Sequence, residues 1–236
     1  EVRMLATDLE AQQRGSRISY VESEPGTLAI EALEVRAWTG HDRLEAAGLT
    51  VHAGQRLLIL GTPGTEKTLL FRALAGLWPW GSGTVRRPRG ETIHYMPRGT
   101  PYLPSGTLAE ALSYAMEPAG YPREAMVAAL ASVGLQRLEP LLDKTGRWDR
   151  ELSVDEQLLL GFARVVLQAP HWLVMDEAFG AFDDDSLELI IDVLNSKLAH
   201  TGIVHIGSAA EAHDRLFTQV VHLVKAPSAE TEDLRA

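Results

Sequence analysis

The stretch QRLLILGTPGTEKTLLFRALA, residues 55–75, decides the fold. Leu57, Leu58, Ile59 and Leu60 form a continuous apolar run, the pattern of a buried parallel strand whose two faces both meet protein. A turn-rich loop follows, and then Leu69, Leu70, Ala73 and Leu74 at helical spacing. A strand, a glycine loop, Lys-Thr and a helix make the architecture of a phosphate-binding loop. Backbone N–H groups of such a loop and of the helix N-terminus converge on one spot and favour an anion there. Gly61, Thr62, Pro63, Gly64, Thr65, Glu66, Lys67, Thr68 and Leu69 are therefore the candidate phosphate cradle. Lys67 would reach the β- and γ-phosphates, and the Thr68 hydroxyl would ligate Mg²⁺.

Glu66 breaks this motif, which asks for glycine just before the lysine. A carboxylate ~5 Å from a phosphate charge costs roughly 3 kcal/mol at an effective dielectric of ~20. Glu66 also brings a Cβ to a position where positive φ is expected. The alternative to a phosphate loop is a Gly/Pro turn that merely joins a strand to a helix.

Composition limits the function classes. At 236 residues the chain can bury one good core with a small subdomain. Its net charge of −10 speaks against a large nucleic-acid footprint, which needs a basic face. With no cysteine, disulfides and thiolate metal sites are excluded. There is no apolar run long enough to span a bilayer, and the N-terminal residues carry no signal-peptide pattern. The chain begins at Glu1 rather than Met, as an excised domain would.

Outward from the loop, residues 1–26 are polar, end in Glu24-Pro25-Gly26 and read as a linker or incoming connection. Residues 27–37 alternate as a strand, 38–43 read as a turn, and 44–52 as a second strand. Trp38, just after the first of these, is placed to stack on a base; such stacking contributes about 1–3 kcal/mol. Thr84–Arg87 and Thr92–Met96 read as short strands, and 97–106 as an irregular loop rich in proline and glycine. Thr107 with Glu110, and Ser153 with Glu156, have capping-box spacing. The region from 107 to about 150 reads as helical. Trp172–Glu177 is an apolar strand ending in two carboxylates, Asp183-Asp184-Asp185-Ser186 starts a helix, 202–206 is a strand, 209–216 a short helix and 220–225 a last strand. The tail from 226 to 236 reads as flexible. Strands alternating with helices imply a largely parallel sheet with helices packed on it.

The acidic strand end gives the loop a chemistry. Asp176 can hold Mg²⁺ and Glu177 can take a proton from an attacking water. The surrounding wording, ELSVDEQLLLGFARVVLQAPHWLVMDEAFGAFD, resembles the signature helix, acidic strand and following loop of ATP-binding cassette (ABC) transporter ATPase domains. FRALAGLWPWGSG and PYLPSGTLAEAL look most like bacterial half-transporters with a membrane domain fused ahead of the ATPase. The resemblance runs from about residue 28 to 225. It implies an α/β P-loop NTPase of ABC type, with a mostly parallel core sheet, an antiparallel N-terminal β subdomain and a helical subdomain over about 100–165. Residues 1–26 would be the connection from the membrane domain. The cofactors implied are ATP and Mg²⁺. The implied partners are an ABC transmembrane domain and a second nucleotide-binding domain, as a homodimer or pseudo-dimer, with no nucleic acid. The implied location is the cytoplasmic face of the bacterial inner membrane. Each ATP would lie between one phosphate loop and the partner's signature helix, and the helix N-terminus at Ser153 suits a γ-phosphate.

Four positions depart from the family pattern. Besides Glu66, Asp155 stands where the signature has a glycine, Arg98 near the Q-loop glutamine, and Ser208 in the place of the switch histidine. Arg98 is expected to offset the added negative charge, or to pair with Glu66 or Asp155. His205, three residues before Ser208, reads as a packed strand residue rather than a shifted switch. Two functions therefore stand side by side: a transport-coupled ATPase, and a disabled domain of the same fold acting as a structural or regulatory partner. A soluble ABC protein of DNA repair or translation would want long heptads or a tandem second cassette, and the sequence has neither.

Overall fold

The computed structural model describes residues 17–37, 40–115 and 120–226. Trp38 and residues 227–236 of the expected tail lie outside the described residues, as do residues 1–16 of the expected connection. The N-terminal strands are β1 (Ser19–Ser23), β2 (Thr27–Ala37), β3 (Gly40–Leu44) and β4 (Gly48–His52). Next come β5 (Arg56–Gly61), helix α1 (Lys67–Ala75), β6 (Gly81–Pro88) and β7 (Ile93–Met96). A helical stretch follows, with α2 (Leu108–Ser113), α3 (Arg123–Ser132), a 3₁₀ segment (Gln136–Leu141), α4 (Trp148–Glu151) and α5 (Val154–Gln168). The short strands β8 (Gly106–Thr107) and β9 (Thr145–Gly146) pair within it. The chain returns to the sheet through β10 (Trp172–Asp176), α6 (Asp184–Lys197), β11 (Gly202–Gly207) and β12 (Gln219–Lys225).

One sheet carries most of these strands, in the order β1-β6-β2-β3-β12-β5-β11-β10-β7, with β4 also on β2. The half built from β12, β5, β11, β10 and β7 is parallel throughout. Its central strands β5, β11 and β10 are buried on both faces, which is why they carry continuous apolar runs. Side-chain alternation splits each run between two cores. Leu57 and Ile59 face the core shared with α1 and the N-terminal strands. Leu58 faces the core shared with the helical stretch, as do Leu173 and Met175 of β10. β2 pairs antiparallel with β3, β4 and β6, and β3 antiparallel with β12, so the sheet is parallel from β12 to β7 and antiparallel from β6 to β12, with β1 added parallel to β6.

The structure corrects several local expectations. The expected turn at 38–43 and strand at 44–52 resolve into β3, a bend, and β4. The reason is the length of β2: Glu34–Ala37 pair with β3, while Thr27–Glu31 pair with β4. The described part of the expected connection is tied into the sheet. Ser19–Ser23 run parallel to β6, Ile18 is buried, and the Tyr20 hydroxyl donates to the Ala73 carbonyl at 2.7 Å. The expected helix at 209–216 shrinks to a 3₁₀ turn (Ala209–Glu211), because the Glu211 carboxylate turns inward and is used there. Both predicted capping boxes form: Thr107 starts α2 and Ser153 starts α5, each exchanging hydrogen bonds with a glutamate three residues on. Ala169 in the left-handed region, followed by Pro170, ends α5.

Candidate nucleotide site

The carboxyl ends of β5, β11, β10 and β7 lie side by side at one edge of the parallel sheet, where ligands of open α/β sheets bind. β5 delivers the loop 61–66 there. Gly64 takes φ +83°, which a residue with a Cβ would resist. Gly61 is needed for another reason: a Cβ on it would lie 2.6 Å from the Lys67 side chain, which folds back over it. Thr62 pins the loop to β12, with its N–H and hydroxyl both donating to the Leu223 carbonyl at 3.0 and 3.1 Å. The Thr65 hydroxyl donates to the Thr62 carbonyl at 2.7 Å and tightens the turn.

Glu66 does not need positive φ. Its backbone sits at φ −93°, an ordinary value for a residue with a side chain, so the expected steric objection is corrected. Its N–H donates to Asp42 Oδ2 at 2.6 Å, and Asp42 Oδ1 lies 3.0 Å from the Lys225 ammonium. Asp42 is fully buried. Sequence reasoning passed over it because it fell in an expected turn; the available signal was an acid at a core-facing position between Gly40 and Leu44.

The two halves of the candidate site meet. The Thr68 hydroxyl donates to Asp176 Oδ2 at 2.9 Å, and the Lys67 ammonium lies 3.1 Å from Glu177 Oε1. Asp176 is buried and its Oδ1 has no hydrogen-bond partner. Burial raises its pKa; the Thr68 hydroxyl works against that rise, and the neighbouring Glu177 charge adds to it. A desolvated carboxylate with a free oxygen beside a hydroxyl is a donor set that suits a hard cation. Among the described residues there is no group of three or more acidic or histidine side chains able to cage a metal. A Mg²⁺ ion held here would take its remaining oxygens from phosphate and water, as this ion commonly does.

Glu177 takes φ +45°, uncommon for a residue with a side chain and of the kind that clusters at functional sites. Its N–H donates to the Ile206 carbonyl at 2.8 Å. Its second oxygen, Oε2, meets Arg98 Nη1 at 2.6 Å. This corrects the expected pairing of Arg98 with Glu66 or Asp155, and strand register explains it. β7 and β10 run parallel with Met96 opposite Met175, so the residues two beyond each, Arg98 and Glu177, emerge together.

Ser208 follows the end of β11, and its N–H donates to Glu211 Oε2 at 3.0 Å. Glu211 also accepts from the Phe179 N–H at 3.1 Å and lies 3.3 Å from His205 Nε2. Burial alone would raise the Glu211 pKa, but His205 and the two amides outweigh it and hold the carboxyl at about 2. His205 is fully buried and packed against Phe179 and Phe217, a strand residue as the sequence suggests. Glu211 was missed, although Ser208 and Glu211 have the same Ser-x-x-Glu spacing as the predicted caps. Ser153 and Asp155 are exposed at the start of α5, where the Ser153 hydroxyl accepts from the Glu156 N–H at 3.2 Å. A cleft of about 1050 Å³ opens beside Glu177, lined by Arg98, Tyr102, Val154, Phe162 and Ser208.

This fold, with a Lys-Thr loop set against an acidic strand end, defines a P-loop nucleotide-binding domain. The family model for ABC transporters matches residues 44–180, more than half of the chain. The chain belongs to the ABC transporter family. It is 30% identical over 189 residues to an ABC transporter ATP-binding protein of Haemophilus influenzae, covering 80% of this chain and 32% of that protein. It is 27% identical over 180 residues to the inner membrane ABC transporter ATP-binding protein YddA of Escherichia coli, covering 75% and 31%. With ABC transporter D family member 1 of Arabidopsis thaliana it shares 34% identity, over 77% of this chain and 14% of that protein. The chain thus spans a third or less of the length of these relatives. Among solved structures, a bacterial Atm1-family ABC exporter with ATP bound superposes with a TM-score of 0.68. That match is 19% identical in sequence and covers 99% of this chain and 46% of that one; it establishes the fold.

Proposed function

We propose that this chain is the nucleotide-binding domain of a membrane transporter and hydrolyses Mg·ATP to drive it. The single observation that carries the reading is the meeting of Lys67 and Thr68 with Glu177 and Asp176. Lys67 and the loop amides not used inside the fold, those of Gly64, Lys67 and Thr68, hold the phosphates, while the Thr62 and Glu66 amides brace the loop itself. Thr68 and Asp176 would hold Mg²⁺, which when bound would supply charge neutralisation to the phosphates. Glu177 accepts a proton from water as the water oxygen bonds to the γ-phosphorus. The bond from that phosphorus to the β–γ bridging oxygen breaks, and its electron pair leaves with ADP. To Trp38, which lies outside the described residues, we assign stacking on the adenine on the strength of its place in the sequence after the first strand.

The domain works as a pair with a second copy or an unlike partner, each Ser153 helix end facing the other's γ-phosphate. Residues ahead of β1 connect to a membrane domain, placing the chain on the cytoplasmic face of the bacterial inner membrane; the nucleotide-binding unit expected over 27–225 takes in β1 as well, and 226–236 form a tail. Inner-membrane placement rests on the similarity to the E. coli relative, an inner membrane ABC transporter ATP-binding protein.

Glu66 and Asp155 lower the affinity for nucleotide, since each adds negative charge where an anion binds. Calorimetric titration with Mg·ATP, with dimer mass and phosphate release measured in parallel, tests the reading. Glu177→Gln is expected to bind Mg·ATP and to lose at least about a hundredfold in turnover. Hydrolysis that is insensitive to this change excludes Glu177 as the base. The double change Glu66→Gly with Asp155→Gly is expected to tighten binding about tenfold or more; unchanged affinity would absolve the two carboxylates.

A further inference from the structure

We propose that Arg98 is a positioning residue that restrains Glu177 and so slows hydrolysis after ATP has bound; the proposal rests on the reading of Glu177 as the proton acceptor. Both oxygens of Glu177 are engaged, each by its own cation: Oε1 by Lys67 at 3.1 Å and Oε2 by Arg98 at 2.6 Å. The two cations differ in what a triphosphate does to them. Lys67 stands at the phosphate loop, so an incoming γ-phosphate competes for its ammonium and frees Oε1. Arg98 is anchored elsewhere, on the Pro-Arg-Gly-Thr-Pro loop that follows β7. It keeps its hold on Oε2 after Oε1 is released, so the carboxylate stays ion-paired when it should be accepting a proton.

The hold also has a mechanical release. The loop bearing Arg98 continues into residues held by the helical stretch, since the buried Arg164 of α5 donates Nη2 to the carbonyls of Tyr102 and Ala111 at 3.1 and 2.6 Å. Glu177 belongs instead to the sheet, its N–H fixed to β11. A shift of the helical stretch against the sheet would therefore lengthen the Arg98–Glu177 contact before it disturbs the phosphate loop. Arg98 is 69% exposed and holds up no part of the core, so its replacement leaves the fold intact.

Steady-state hydrolysis and equilibrium Mg·ATP binding, compared across the purified wild-type protein and its variants, decide the point. Arg98→Ala, which removes the guanidinium without creating the family's glutamine, is expected to raise kcat about three- to tenfold with the Kd for Mg·ATP within about twofold. Arg98→Lys, which keeps the charge and loses the guanidinium fork, is expected to fall between the two. The double change Arg98→Ala with Glu177→Gln should be as slow as Glu177→Gln alone, because the restraint acts only through that carboxylate. An equal or lower kcat in Arg98→Ala, with binding retained, overturns the restraint while leaving the ATPase reading in place. A wild-type protein that binds no Mg·ATP, or a Glu177→Gln variant that hydrolyses at the wild-type rate, overturns both. Thermal unfolding of each variant separates loss of fold from change of rate.

Discussion

Asp176 is the residue at which stability and chemistry pull against each other. Its carboxylate is buried, one oxygen bonded to Thr68 and the other unpartnered. Burial raises its pKa, so the ionised form is less favourable in the folded chain than in the unfolded one. For an acid shifted in this direction the cost is absent at low pH and grows as pH rises past the unfolded value. Asp176→Asn keeps the shape and removes the charge. The ligand-free variant is expected to be more stable than the wild type at neutral pH, measured by urea denaturation, and to gain less stability on adding Mg·ATP than the wild type does. A variant both less stable and stabilised as much by Mg·ATP as the wild type would mean that Asp176 is a packing residue. The types of these side chains and their place after an apolar strand were readable in the sequence. Their partners were not: Thr68 and Asp176 stand 108 positions apart and meet only because β5 and β10 end at the same sheet edge.

At the scale of elements, α5 illustrates how much local pattern decides. Its N-terminus was legible because a cap is a short-range device: the Ser153 hydroxyl accepts from the Glu156 N–H, and Glu156 Oε2 accepts from the Ser153 N–H at 2.9 Å. Ser153→Ala is expected to cost about 1 kcal/mol in a denaturant titration, since one orphan amide of the first turn loses its acceptor. A loss under a few tenths would mean that water replaces the hydroxyl at no penalty. The N-terminal strands were less legible. One long strand, β2, is shared between two partners, and no alternation within residues 38–52 tells where one partner ends and the other begins. The helix expected after Ser208 failed for a similar reason: Glu211 serves a neighbouring loop and leaves the helical path.

For the molecule as a whole, the buried Glu211–His205 pair couples the end of β11 to the loop after β10, and it sets a response to acid. The Glu211 carboxyl is held at about 2, below its ordinary value of 4.5. A folded pKa below the unfolded one contributes stability that is complete above about pH 4.5 and disappears as pH falls toward 2. Denaturation followed from pH 7 down to 3 should show stability falling with acid, and Glu211→Gln should flatten that part of the curve; an unchanged slope would assign the acid response to other carboxylates.

What the sequence alone determined is the strand–loop–helix around residues 56–75, the acidic strand end and the helix caps, because each depends on residues within a few positions of one another. Tertiary structure decided which charge answers which. Arg98 meets Glu177 rather than Glu66 because β7 and β10 align in parallel register, and the Glu66 amide turns to Asp42 on β3, a strand held antiparallel to β12; the register between strands distant in sequence is written in no local pattern.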